Sequence, residues 1–211
     1  MWINKIIKRD GREVELKLRG KALVLVDWAN VYRWRDSLKK EVDAKLLYKS
    51  LKKYGEIKEI HLYHGEDDNE KSKLFLIEMR EVGYKVISKP VKYVRFIMNG
   101  KEVSQRKCDF DLEIGLDCFE NIDKYDSFVI LSGDGDYATL YERLIGHKKQ
   151  VIVVYASAHL GREIWQMKKG IFKIEIDRLL PECLIKNVPR VVKPRGEIEV
   201  TLAKKGGKVN G

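Results

Sequence analysis

The segment Ser132-Gly133-Asp134-Gly135-Asp136-Tyr137 sets two carboxylates two residues apart in a glycine-rich turn, directly after the apolar run Phe128 to Leu131. A second apolar run, Ala22 to Val26, ends in Asp27-Trp28-Ala29-Asn30. Short apolar runs bounded by turn residues read as buried strands, so two strands deliver acids to one edge of a sheet. Acids gathered in that way suit a hard divalent cation, because Mg2+ and Mn2+ favour oxygen ligands and Mg2+ needs only a few carboxylates beside water or substrate phosphate. Gly133 and Gly135 free the backbone for sharp or left-handed turns that bring the flanking acids to the same side. The same residues have a plainer use, with Asp134 capping the following helix and Asp136 sitting in its first turn. Carboxylates held together without a metal also repel one another, so at least one of their pKa values should rise.

A third acidic segment, Lys107-Cys108-Asp109-Phe110-Asp111-Leu112-Glu113-Ile114-Gly115-Leu116-Asp117, opens a helix-forming stretch between the other two. Asp109, Asp111 and Asp117 are its candidates. Six positions separate Asp111 from Asp117, about 240° around an ideal helix, so the two share a face only if Asp111 precedes the first turn. Just after Asp27, the run Trp28, Tyr32, Arg33, Trp34, Arg35 interleaves rings and cations. Rings stack unpaired bases and Arg33 and Arg35 could hold phosphate; the spacing of Trp28 and Tyr32 equally fits a packed helix face. The histidines, His61, His64, His147 and His159, show no zinc-ligand spacing, and His61 and His64 would face opposite sides of a strand. They read as structural. No G-x-x-x-x-G-K-[ST] and no G-x-G-x-x-G after a strand is present, which excludes a phosphate-loop triphosphatase and a dinucleotide enzyme.

These residues need a scaffold, and the pattern from Lys21 onward supplies one by alternating strands and helices. Strands are expected at 22–27, 57–63, 84–88, 127–131 and 151–155, with helices around 31–38, 43–54, 69–82, 111–121 and 136–146. Asn99-Gly100 between Val91–Ile97 and Lys101–Arg106 predicts an inserted hairpin. Residues 1–20, alternating around Asp10-Gly11, read as a hairpin appendage, and residues 181–211 as an extended basic tail. The alternation implies a mainly parallel sheet covered by helices on both faces, with ligands bound outside the carboxyl ends of the strands at a topological switch point. If 22–27 and 127–131 are neighbours, that crevice lies between Asp27 and Asp134.

The chain has 211 residues, a formal net charge of +10 and a pI near 9.3, with 44% hydrophobic and 35% charged residues. The length suits one domain with short extensions. The charge tilts it toward polyanionic partners. Cys108, Cys118 and Cys183 form no CxxC pair and argue against a disulfide framework, so a reducing, cytoplasmic setting is expected. No apolar run approaches the roughly 20 residues of a membrane helix, and no export leader is evident.

In the order Asp27-Trp28-Ala29-Asn30, then Asp111 through Asp117, then Ser132-Gly133-Asp134-Gly135-Asp136-Tyr137, the chain resembles the NYN domain, a branch of the PIN-like nucleases, in its LabA-like form. The resemblance covers about residues 21–178. It implies a PIN-like α/β fold and a metal-dependent ribonuclease, or a degenerate relative. It further implies metal-ligand roles for Asp27, Asp134 and Asp136, joined by Asp117 as the helix acid, a polar contact at Asn30 and a LabA-type acid at Asp111, these acids together forming the expected catalytic set. Relatives often place Lys three residues before the helix acid, where this chain has Cys108, with Lys107 shifted by one; Asp109 could then share the role of Asp111. Ser132, Arg33, Arg35 and Lys107 complete the expected substrate contacts.

Hydrolysis of a phosphodiester needs an activated water, neutralised oxygens and a stabilised leaving alkoxide, all within reach of one or two Mg2+ or Mn2+ ions. The expected activity is therefore a Mg2+- or Mn2+-dependent endoribonuclease, with RNA favoured over DNA. A non-catalytic RNA-binding or regulatory protein and a small-molecule phosphatase are the alternatives. The reading leaves room for a homodimer.

Overall fold

The computed structural model describes residues 14–98 and 101–186. In chain order the elements are β1 (Ala22–Asp27), α1 (Trp28–Arg33), α2 (Arg35–Leu38), β2 (Lys40–Val42), α3 (Ala44–Leu51), β3 (Ile57–Glu66), α4 (Glu70–Val82), β4 (Lys85–Pro90), β5 (Lys92–Met98) and β6 (Lys101–Lys107). Then follow α5 (Asp111–Glu120), β7 (Ser127–Leu131), a 3-10 turn (Gly135–Tyr137), α6 (Ala138–Gly146), β8 (Gln150–Tyr155), α7 (Arg162–Gln166), β9 (Ile171–Glu175), α8 (Ile176–Leu179), a second 3-10 turn (Pro181–Cys183) and β10 (Leu184–Lys186).

β1 and β7 are buried along their whole length, which is why their sequences run apolar without alternation. Six strands form one parallel sheet in the order β4-β3-β1-β7-β8-β9. The chain runs outward from β1 through β3 and β4 on one side, and from β7 through β8 and β9 on the other. The order therefore reverses between β1 and β7, and the loops leaving these strands diverge there. Alternate residues feed two cores. Ala22, Val24 and Val26 pack with Trp28, Leu47 and Met79 on one face. Leu23 and Leu25 pack with Phe110, Ile114 and Tyr141 on the other. The result is the expected three-layer, PIN-like α/β fold.

Local signals place most of the helices. Asn69 caps α4, its Oδ1 accepting from the Ser72 N–H at 2.9 Å, and Gly83 ends that helix with φ +115°. The helix expected at 31–38 starts at Trp28 instead, because Asp27 caps it, and it breaks at Trp34 into α1 and α2. β3 continues to Glu66, beyond the expected end at 63. β9 is a sixth strand that the sequence pattern missed: at the sheet edge Ile171 to Glu175 are only partly covered, so no apolar run marks them.

Two expected boundaries change. The basic tail does not begin at Pro181, since Cys183 is buried, its carbonyl accepts from the Asp43 N–H at 2.9 Å, and β10 pairs antiparallel with β2. Residues 14–20 are fastened to the sheet domain: Leu16 is buried, and the Arg19 N–H donates to Ser127 Oγ at 3.0 Å. The hairpin expected around Asp10-Gly11 lies outside the described residues. So do Asn99-Gly100 and residues 187–211, while β5 and β6 flank the former pair as an antiparallel hairpin. Among the described residues no helix is long and apolar enough to cross a membrane. All three cysteines are free.

Candidate functional site

Val26 of β1 pairs with Leu131 of β7, so Asp27 and Ser132 leave the sheet side by side at the switch point. Ser132 Oγ donates to Asp27 Oδ2 at 3.4 Å and accepts from the Asp134 N–H at 3.3 Å. The other carboxylate oxygen of Asp27 caps α1, accepting from the Asn30 N–H at 3.2 Å. Tyr137, buried beneath the turn, directs its hydroxyl to Asp27 Oδ2 at 3.4 Å and also bonds Asp111. Burial and the two neighbouring carboxylates push the Tyr137 phenol well above its ordinary range.

Asp27 is 8% exposed, and burial pushes its carboxyl up to about 6. Negative Asp111 and Asp134 add to the rise, whereas the Asn30 N–H and the Arg33 charge oppose it. Asp111, at the first turn of α5, is raised for the same leading reason, with repulsion from Asp134, Asp109 and Asp136 behind it and the Tyr137 hydrogen bond against it. Acids from three segments therefore feel one another. The upward shift expected from repulsion is present, but burial leads it.

Asn30 works inward rather than as an open contact. Its Oδ1 accepts from Trp34 Nε1 at 2.9 Å and from the Gly133 N–H at 3.2 Å, tying α1 to the loop after β7. Asp134 has the capping use foreseen for it, its Oδ1 accepting from the Asp136 N–H at 3.2 Å as the cap of the 3-10 turn, and its charge also acts on Asp27 and Asp111. Asp136 is exposed. The glycines need another explanation than left-handed backbone: positive φ among the described glycines occurs at Gly20, Gly83 and Gly170, not at Gly133 or Gly135. A Cβ on Gly133 would collide with the His159 carbonyl, and one on Gly135 with the Glu163 carboxylate. Close approach of the segment before α7 is what requires Gly133, fastened by the Gly161 N–H to the Gly133 carbonyl at 2.7 Å, whereas Gly135 meets the movable end of a side chain of α7. Glu163 thereby reaches the same loop, an acid that no strand-end pattern marks.

Asp117 does not join the edge. It lies six residues beyond Asp111, about 9 Å further along the helix axis. There it bonds Tyr63 Oη and, at 3.0 Å, His61 Nδ1, whose other ring nitrogen meets Glu59 at 2.9 Å. His61 is fully buried. The expected role of Asp117 as ligand and catalytic acid gives way to a structural one, because its Oδ2 is shared by two groups of β3, Tyr63 Oη and His61 Nδ1, away from the acid edge. The basic candidates are dispersed. Arg33 lies near Asp27 on the exposed side of α1; Arg35 pairs with Glu41 at 3.3 Å and stacks on Tyr32; Lys107 is exposed at the end of β6.

The donor set is one of hard oxygens: Asp27, Asp111, Asp134 and Asp136. Among the described residues, no three His, Cys, Asp or Glu side chains stand close enough to cage an ion as arranged. The fit is that of an open site in which water fills most positions, as Mg2+ tolerates.

A parallel sheet with acids gathered at its order reversal defines a PIN-like α/β domain. The chain belongs to the NYN domain family, whose pattern matches residues 21–169. It is 30% identical over 109 residues to the low amplitude and bright protein LabA of Synechococcus elongatus, a match covering 52% of this chain and 58% of that protein. The match thus spans less than two thirds of that relative. A crystal structure of a protein of unknown function from Vibrio parahaemolyticus superposes with a TM-score of 0.60 at 26% identity, covering 82% of this chain and all of that one.

Proposed function

We propose that the chain is a Mg2+- or Mn2+-dependent ribonuclease whose reaction takes place at the β1/β7 switch point. The observation that carries the reading is a set of mutually repelling carboxylates, Asp27, Asp111 and Asp134 with Asp136 beside them, none of which pairs with a cation among the ion pairs of the described residues. Hydrogen bonds serve these acids but, among the described residues, no ion pair does, whereas Asp117 meets the His61 ring at 3.0 Å. Asp27, Asp134, Asp136 and Asp111 would hold the ion. When bound, it supplies charge neutralisation at the phosphate oxygens and an activated water. The chain's own residues set the geometry. Asn30 and Gly161 fix the Gly133 backbone from two sides, and Tyr137 holds the Asp27 and Asp111 carboxylates to a common donor. Asp27, with its pKa near 6, would surrender a proton on loading the site under mildly acidic conditions. The net charge of +10 favours a polyanion.

The test is a gel of labelled single-stranded RNA, DNA and duplex, with Mn2+ or EDTA. RNA cut in Mn2+ and intact in EDTA supports the reading. RNA shifted but uncut in Mn2+ supports a second one, a non-catalytic RNA-binding protein, which the inward hydrogen bonds on Asp27 favour. Hydrolysis of a chromogenic phosphoester without cleavage of RNA would replace both with a phosphatase.

A further inference from the structure

Beside the acid edge, a cleft of about 660 Å³ opens between α1, α4 and the carboxyl end of β3. That volume lies within the roughly 300–1,000 Å³ of small-ligand clefts. Trp28, the residue after Asp27, is in its wall and stacks on Phe75 of α4, with centroids 5.4 Å apart and planes at 28°. Tyr32, one turn along α1, also lines it and is 51% exposed, with the Arg35 guanidinium 3.9 Å from its ring centre. Core packing does not need an exposed tyrosine here, since Trp34 is the fully buried anchor of this region.

His64, near the end of β3, also lines the cleft. Its Nδ1 is shielded from solvent and finds no hydrogen-bond partner among the described residues, while its ring meets Phe75 edge-on at 5.1 Å. Burial, helped by the Arg106 charge, holds the imidazole down at about 4. The ring is thus neutral near pH 7, with one nitrogen to donate and one to accept. A buried polar atom left unpaired in a folded protein calls for a partner. Arg33 lines the cleft and also acts on Asp27, so its charge stands between the cleft and the acid edge.

We propose that this cleft takes one unpaired nucleobase of a single-stranded RNA, stacked on exposed Tyr32 beside the wall formed by Trp28 and Phe75, with the His64 imidazole toward its hydrogen-bonding edge and Arg33 against the adjoining phosphate. The inference rests on the nucleic-acid reading above and adds a substrate position to it. The strand passes from the cleft onto the acid edge because Trp28 and Asp27 are adjacent in the chain. Flat aromatic walls accept any base, and the imidazole adds preference among bases.

The experiment measures binding in EDTA, where nothing is cut. A short labelled RNA is compared with a set carrying one abasic position each, against the wild type, Tyr32→Ala and His64→Phe. One abasic position should weaken wild-type binding about tenfold. Tyr32→Ala should cost a similar factor on intact RNA and make that abasic position silent, the non-additivity of two changes to one contact. His64→Phe should lower affinity for the preferred base toward that of the others and so flatten the preference among bases at that position. Tyr32 is exposed, so its replacement leaves the fold intact, which a thermal melt checks. An abasic penalty undiminished in Tyr32→Ala, no position sensitive to base removal, or no RNA binding in EDTA overturns the inference. Cleavage in Mn2+ is scored separately: a protein that cuts but ignores base removal loses only the cleft, and one that senses the base but never cuts loses only the nuclease reading.

Discussion

The two ends of α5 treat a carboxylate in opposite ways. At the N-terminal end Asp111 faces Asp27, Asp134 and Asp136 with Tyr137 as its hydrogen-bond donor, and its carboxyl is pushed upward. Near the C-terminal end Asp117 is met by Tyr63 and by His61, which is itself held by Glu59. The first arrangement keeps negative charge unneutralised at a sheet edge open to solvent; the second dissolves a charge into a hydrogen-bonded network. Unneutralised charge is a standing electrostatic cost that the proposed cation would relieve, whereas a satisfied network serves the fold. Acidity alone does not distinguish the two ends. Their partners do.

The largest expected effect tests the open end. Asp134→Asn and Asp136→Asn should each slow RNA cleavage in Mn2+ by at least about a hundredfold, roughly 2.7 kcal/mol of barrier, while RNA binding in EDTA persists. Wild-type rates in both variants, with contaminating nuclease excluded, would show that the edge is not where the reaction occurs.

The closed end should respond in stability instead. Asp117→Ala leaves the Tyr63 hydroxyl and His61 Nδ1 without their acceptor, a loss of about 2 kcal/mol in denaturant unfolding. Cleavage below the melting point should continue near the wild-type rate. A variant that folds as firmly as wild type yet no longer cuts would return Asp117 to the site and erase the contrast.

Much of this contrast is legible in the sequence, and the rest is not for identifiable reasons. Apolar runs ending in acids mark β1 and β7, and the alternation of strands and helices marks a parallel sheet; that the two strands are neighbours is a matter of strand order, which only the fold supplies. Asp117 is misplaced by sequence reasoning because its partner His61 lies 56 residues away and becomes a neighbour only when α5 packs on β3. Gly133 points to the right turn for the wrong reason: its constraint comes from the segment before α7, whose return to the sheet has no local signal. Asn30 is recognisable as part of the site, while its inward bonds to Trp34 and Gly133 depend on register between β1 and β7. The cleft draws on residues from α1, β3, α4 and β6, a grouping that periodicity within one element cannot reveal.

A smaller effect separates the acid edge from the basic residues far along the chain. Removing residues 187–211 takes away Arg190, Lys193, Arg195, Lys204, Lys205 and Lys208 but spares β10 and buried Cys183. Affinity for single-stranded RNA should fall about tenfold, and the slope of log affinity against log salt should flatten by about 0.7 for each phosphate that is no longer neutralised. Melting should hardly change. An unaltered slope would assign phosphate binding to the domain itself.

The smallest effect probes the cost of the open end directly. The Asp27 carboxyl rises from 3.8 to about 6 on folding, so between those values the folded state binds more protons than the unfolded chain. Stability must then fall as pH rises through that window, by up to about 3 kcal/mol once both states are ionised. Asp27→Asn abolishes the titration and keeps a capping side chain at the start of α1, since Asn caps as well as Asp. Against this, the acceptor for Ser132 and Tyr137 weakens, which costs about 1 kcal/mol for each hydrogen bond impaired. The balance leaves the variant about 1 kcal/mol more stable than wild type at pH 8 in EDTA, with the difference vanishing or reversing near pH 4. Mn2+ at about 100 times its dissociation constant should then stabilise the wild type by roughly 2.7 kcal/mol and the variant far less, inverting the order. Thermal melts at the two pH values, with EDTA or Mn2+, check each part. A variant less stable than wild type at pH 8 in EDTA, together with a wild type indifferent to Mn2+, would mean that Asp27 is satisfied like Asp117 and that the two ends of α5 do not differ in kind.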